Sequence, residues 1–263
     1  MVRRWCVPLA GAALVAGSVA ASAPAAAAGR APHTAGVHQV RPGGRMVRPG
    51  GPLTRHGFPQ NAAQTTNWSG YAATGSFHSV SANWTEPTGN CTSATRYSSF
   101  WVGLDGYNSN SVEQTGSSVD CSRGSPVYYS WYEMYPAFPH NFSSTVRPGD
   151  HFFGSVTYNG GGSYTLVLQD TTQGWKHTVN KSLGGAANSS AEVIAEAPSG
   201  SSGVLPLANF GTVNFSNATA NGSAIGNFAP TQINMADNSG RLKDRTSALS
   251  GGGSFSDTWL RAN

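Results

Sequence analysis

The chain has 263 residues, 38% of them hydrophobic and 11% charged, with 33 glycines and 15 prolines. So few charges exclude a solvated, disordered polymer, and so many helix-interrupting residues exclude a helical bundle. The formal charge of +4 would suit a nucleic-acid binder if it were spread evenly. However, seven of the 16 bases and none of the 12 acids fall in residues 1–56, so the remainder is mildly acidic and nucleic acid is excluded as its partner.

In chain order, Arg3 and Arg4 precede a short apolar run through Leu9, Leu14 and Val15, followed by small residues ending at Ala25–Ala28. This is the pattern of an export signal over residues 1–28. Ser22 and Pro24 interrupt the apolar run before it reaches the roughly 20 residues a membrane span needs. The expectation is a secreted, extracellular protein with no membrane attachment in its mature form. Residues 29–65 are rich in Gly, Pro, Arg and His and repeat Val40-Arg41-Pro42-Gly43-Gly44 as Val47-Arg48-Pro49-Gly50-Gly51. They have little to bury and read as a basic, largely disordered propeptide, with the functional domain over residues 66–263. Its cations would pair with carboxylates of the acidic remainder and let go when those are protonated.

From Asn67 onward, runs rich in Val, Ile, Tyr, Phe, Trp and Thr alternate with Gly, Asn, Ser and Pro punctuation. Strands are expected at Ser99–Leu104, Val127–Tyr135, His151–Tyr158, Ser163–Gln169, Ala191–Ala197 and Gly253–Leu260, with hairpin turns at Gly160–Gly162 and Gly251–Gly253. No window keeps a helical repeat, which predicts an all-β fold, a single antiparallel sandwich. Cys6 lies in the export signal, leaving Cys91 and Cys121 as an even pair, for which a disulfide is the default in an exported chain. Closing that loop contributes roughly 3–4 kcal/mol in the chain-entropy model.

Familiar catalytic motifs are missing. There is no Gly-x-Ser-x-Gly elbow, no metal-binding spacing of His or Cys and no phosphate-cradling loop, so no cofactor or metal is expected. Asp237-Asn238-Ser239-Gly240-Arg241 reads as a turn. The informative residues are the scarce acids. Strand alternation puts Trp131, Glu133 and Tyr135 on one face, and Glu192, Ile194 and Glu196 on one face of another strand. A carboxylate among aromatic rings is suited to proton transfer, which makes Glu133 and Glu196 candidates. Gln114, in Gln114-Thr115-Gly116, cannot be a base, but its NH2 can donate to a developing oxyanion.

Five ordered motifs complete the reading: Asn67-Trp68-Ser69-Gly70-Tyr71, Trp101-Val102-Gly103-Leu104-Asp105-Gly106, Gln114-Thr115-Gly116, Trp131-Tyr132-Glu133-Met134-Tyr135-Pro136 and Ala191-Glu192-Val193-Ile194-Ala195-Glu196. Together they resemble the glutamic peptidases, the eqolisin family, over nearly all of residues 67–260. The resemblance implies an acid-acting, metal-independent endopeptidase on a concanavalin-like sandwich of two seven-stranded sheets. By motif it implies Gln114 and Glu196 as the catalytic dyad, with Trp101, Asp105, Trp131 and Glu133 lining the substrate site. It also implies protein or peptide substrates and a propeptide removed in acid; a monomer is the default state.

Two rival readings use the same residues. A sandwich face with Trp and Tyr among Asn, Ser and Thr also suits a carbohydrate-binding module, and Glu133 with Glu196 could be a glycosidase pair. Gln114 discriminates, since neither rival requires an amide.

Overall fold

In the computed structural model, the described residues are 62–201 and 203–263. The export signal, most of the basic segment and Cys6 therefore lie outside them. In chain order the strands are β1 (Ala62–Thr65), β2 (Trp68–Thr74), β3 (Ser79–Thr85), β4 (Ser99–Leu104), β5 (Val112–Ser122) and β6 (Ser125–Tyr135). Next come β7 (His140–Asn141), β8 (His151–Gly160), β9 (Ser163–Asp170), β10 (Trp175–Ser182), β11 (Ser190–Glu196) and β12 (Ser199–Gly200). The chain closes with β13 (Gly203–Val204), β14 (Thr212–Ala220), β15 (Ser223–Ala224), β16 (Thr231–Ala236), β17 (Leu242–Thr246) and β18 (Phe255–Trp259). A 3-10 turn at Ile225–Phe228 is the one helical element among the described residues.

The hydrogen-bonded order is β10-β9-β8-β3-β14-β18-β17-β16-β2-β11-β4-β5-β6-β7, with β1 on β16 and β15 on β14, while β12 and β13 form a separate ribbon. The expected pair of seven-stranded sheets is thus one ladder of 14 strands folded over itself. Its continuity comes from β17, which pairs with both β16 and β18 and carries the bonding round the corner between the layers.

The layers meet through one aromatic and aliphatic core. Val102, Val119 and Val193 from the β11-β4-β5 side join Trp84, Phe152, Val156, Leu166, Leu168 and Phe215 from the β9-β8-β3-β14 side in a single buried cluster. Trp84 stacks on Phe152 at 5.4 Å between centroids. The layers differ in what their outer faces do. In β3 and β9, buried residues alternate with half-exposed ones, the pattern of a sheet wetted on one side. Every residue of β4 and of β11 is buried, and so are the first eight of β5. Their outer face is covered by a second cluster of Trp68, Ala72, Trp101, Val112, Trp131, Ile194 and Ile233. A sheet buried on both sides can hold polar groups away from water, and the candidate site lies on that outer face.

Three further expectations meet the coordinates. Cys91 and Cys121 form a disulfide. The glycines at Gly160–Gly162 turn β8 into β9, all with positive φ. Asp237–Arg241 is the turn between β16 and β17, tied by Asp237 Oδ1 accepting from Ser239 N and Arg241 N. Ala62–Thr65, at the end of the stretch expected to be propeptide, is a strand parallel to β16.

Candidate active site

Cross-strand register builds the site. Gln114 on β5 stands opposite Gly103 on β4 and Glu133 on β6; Gly103 in turn stands opposite Glu192 on β11. The next row on the same face is Ile194, Trp101, Gly116 and Trp131, and the one after it Glu196, Ser99, Ser118 and Tyr129. The glycines explain how a tryptophan fits among these rows. A Cβ at Gly116 would lie 2.6 Å from Trp101 Cβ, and one at Gly103 would lie 2.9 Å from Trp101 Cζ3. Trp101 therefore needs both neighbouring positions bare, Gly103 for its indole and Gly116 for its backbone and Cβ.

That indole reaches Glu196. Trp101 Nε1 donates to Glu196 Oε2 at 2.8 Å, and Asn67 Nδ2 donates to Oε1 at 3.5 Å. Asn67 is held there because its own carbonyl accepts from Ala197 N at 2.8 Å. Gln114 is oriented from the other side: its Nε2 donates to Glu133 Oε2 at 2.7 Å. Gln114, Glu133 and Glu196 are all buried. Trp131 packs in the same face cluster and donates from Nε1 to Ser118 Oγ at 2.9 Å, and Ser118 shares a hydrogen bond with Ser99 at 2.8 Å. Trp68 meets Trp101 edge-on at 5.0 Å.

The residues expected from the sequence thus share one face, with one difference. Gln114 bonds Glu133, and Glu196, four residues along β11 from the Gln114 row, bonds Trp101 and Asn67. Asp105, expected among the substrate-lining residues, faces its own scaffold. Its Oδ2 accepts from Asn188 N at 2.7 Å, and its Oδ1 accepts from Ser189 N at 2.8 Å and Ser189 Oγ at 3.1 Å. Asp105 has φ +69 and is fully buried, so it clamps the loop entering β11.

The sequence profile described as the peptidase A4 family matches residues 66–256. The chain belongs to that family. Over 135 residues, 49% of the chain, it is 34% identical to aspergillopepsin-2 of Aspergillus niger, and this stretch spans about half (48%) of that relative. Among solved structures, it resembles a scytalido-glutamic peptidase bound to a transition state analog inhibitor. The TM-score is 0.65 and the identity 27%, covering 74% of this chain and 98% of that one. A second, the eqolisin SCP-B in complex with the tripeptide Ala-Ile-His, gives a TM-score of 0.61 at 26% identity, with the same coverage of 74% and 98%. A third is the aspergilloglutamic peptidase of Aspergillus niger, at TM-score 0.55 and 28% identity, covering 63% of this chain and 99% of that one.

Within this peptidase A4 fold two acids of β11 share this face in different surroundings. Glu192 shares a row with Gln114, yet burial, followed by the nearby Asp105 and Glu113, pushes its carboxyl well above the ordinary range. It stays a neutral acid in an acidic medium. Glu196 has an N–H donor at each oxygen, an arrangement that favours the ionised form of a carboxyl. Asn67 and Glu192 were given no role from the sequence. The pairing of Trp68 with Glu196, which brings Asn67 within reach, joins segments 128 residues apart. Among the described residues no group of three His, Cys, Asp or Glu side chains could hold a metal ion, and no helix is long and apolar enough to cross a membrane.

Proposed function

We propose that this protein is a secreted, acid-acting glutamic endopeptidase whose dyad is Gln114 and Glu196. Glu196 takes a proton from a water molecule as that water attacks the scissile carbonyl, and the C–O bond forms as the carbonyl π electrons move to oxygen. An amide N–H of Gln114 holds the resulting oxyanion. As the tetrahedral intermediate collapses, the C–N bond breaks and the proton on Glu196 goes to the leaving nitrogen. Trp101 holds the carboxylate, while Trp131 and Trp68 supply apolar walls for the peptide. Residues 1–28 act as the export signal, and the basic stretch from residue 29 to the folded domain acts as the propeptide.

One observation carries this reading. A buried carboxylate with N–H donors at both oxygens shares a face with a buried amide that is itself held in place. A carbohydrate-binding module has no use for that combination.

The test is digestion of a denatured protein by the purified mature domain at about pH 3–4, where free carboxylates of ordinary pKa begin to protonate. Wild type should cleave it in the presence of pepstatin and of chelators. Gln114→Ala and Glu196→Gln should each lose about 100-fold or more in kcat. Equal cleavage by all three proteins would refute the assignment.

A further inference from the structure

An amide side chain can stabilise an oxyanion only through its nitrogen, yet its two ends are nearly the same size. Packing alone does not choose between them. Something must decide which end of Gln114 points where. On the β4 side stands Gly103, which has no side chain to offer; a Cβ there would lie only 3.2 Å from Gln114 Cβ. On the β6 side stands Glu133, directly opposite in register and equally buried, its Oε2 2.7 Å from Gln114 Nε2. An ionised carboxylate accepts hydrogen bonds and cannot donate them. With the amide turned over, Gln114 Oε1 would face Glu133 Oε2 across that same gap, lone pair against lone pair, in a site of low dielectric.

We propose that Glu133 is a positioning residue. Its carboxylate fixes the Gln114 amide with nitrogen toward β6, so that one N–H is spent on Glu133 and the second is presented to the oxyanion. This deepens the preceding reading and rests on it, since it takes Gln114 to be the oxyanion donor. The negative charge of Glu133 opposes that of the oxyanion, so its contribution is orientation and not charge stabilisation. The effect should therefore fall on kcat, with substrate binding nearly untouched.

The experiment compares wild type with Glu133→Gln, which keeps an acceptor but also carries a competing donor, and Glu133→Met, which has neither a strong acceptor nor a charge. Peptide kinetics should show kcat falling in the order wild type, Glu133→Gln, Glu133→Met, the last by about 10–100-fold, with KM within about twofold. Proton–nitrogen NMR of the wild-type domain gives a second readout that needs no variant to be active. The side-chain NH2 pair of Gln114, identified by its disappearance in Gln114→Glu, should show one proton shifted downfield and slow to exchange. In Glu133→Met that signature should vanish.

An ordinary NH2 pair in wild type, or a Glu133→Met enzyme with kcat within about twofold of wild type, would overturn the proposal while a dead Gln114→Ala keeps the peptidase reading intact. An active Gln114→Ala would overturn both.

Discussion

Glu192 and Glu196 lie two periods of strand alternation apart and face the same way, yet their surroundings differ. Glu192 is enclosed near Asp105 and Glu113 and holds its proton, whereas Glu196 meets two N–H donors. A neutral glutamic acid and a glutamine are close isosteres, so Glu192→Gln should keep kcat within a few-fold of wild type at about pH 3–4, where Glu196→Gln is inactive. Single-turnover rates on one peptide would check this, and a Glu192→Gln enzyme as dead as Glu196→Gln would transfer the base to Glu192. The face these residues share was legible in the sequence, because alternation alone aligns Glu192, Ile194 and Glu196. Their surroundings were not, since Asn67, Asp105 and Glu113 come from other segments of the chain and only the fold brings them close. The same gap explains Asp105, whose motif position suggested substrate contact and whose carboxylate is spent on Asn188 and Ser189.

Among the elements, β4, β6 and β11 announced themselves through unbroken Trp, Tyr, Val and Ile, and β4 has the expected bounds of Ser99–Leu104. β5 did not announce itself as a strand, because Gln114-Thr115-Gly116-Ser117-Ser118 has the composition of a loop. It is a strand because β4 and β6 pair with it on both sides, and the bare Gly116 lets β4 come close at Phe100 and Trp101. β1 was not legible as a strand for a related reason: Ala-Ala-Gln-Thr has little to bury, and its order comes from four paired positions on β16. Thr65 closes the turn that follows, its Oγ1 accepting from Trp68 N at 2.8 Å and donating to Trp68 O at 2.9 Å. That turn leads straight into Asn67, a donor to Glu196. A protein starting at Ala62 should therefore be fully stable, while one starting at Asn67 should lose about 2–4 kcal/mol in urea unfolding and part of its kcat, through a loosened Asn67. Equal midpoints and rates for the two would show that β1 is dispensable to the folded domain.

At the scale of the whole molecule, the acid excess read from the sequence is not an acidic surface. Ten of the 12 acids are buried, and the half-buried Asp237 pairs with Arg241 at 2.8 Å. Burial pushes several of these carboxyls toward the neutral acid in the folded protein. Burial pushes Glu86, bonded to Ser117 between the layers, and Glu113 each up to about 8, and Asp120 up to about 7. Asp244 and Asp257, near one another in the corner formed by β17 and β18, are raised as well, again chiefly by burial. In the unfolded chain these groups titrate near 4. Their folded values lie above that, so the folded state binds more protons than the unfolded one between about pH 4 and 8. The stability they contribute is complete below about pH 4 and drains away as pH rises through that window. One acid moved from about 4.5 to about 8 accounts for a loss on the order of 3 kcal/mol between pH 3 and pH 7, and several act together. The thermal midpoint, followed by circular dichroism from about pH 3 to about pH 8, should fall steadily across this range. Glu86→Gln, which cannot ionise, should make the fall shallower. A midpoint that holds level or climbs toward neutral pH would mean that these interior carboxyls ionise without cost. The requirement for acid would then rest on the active site alone.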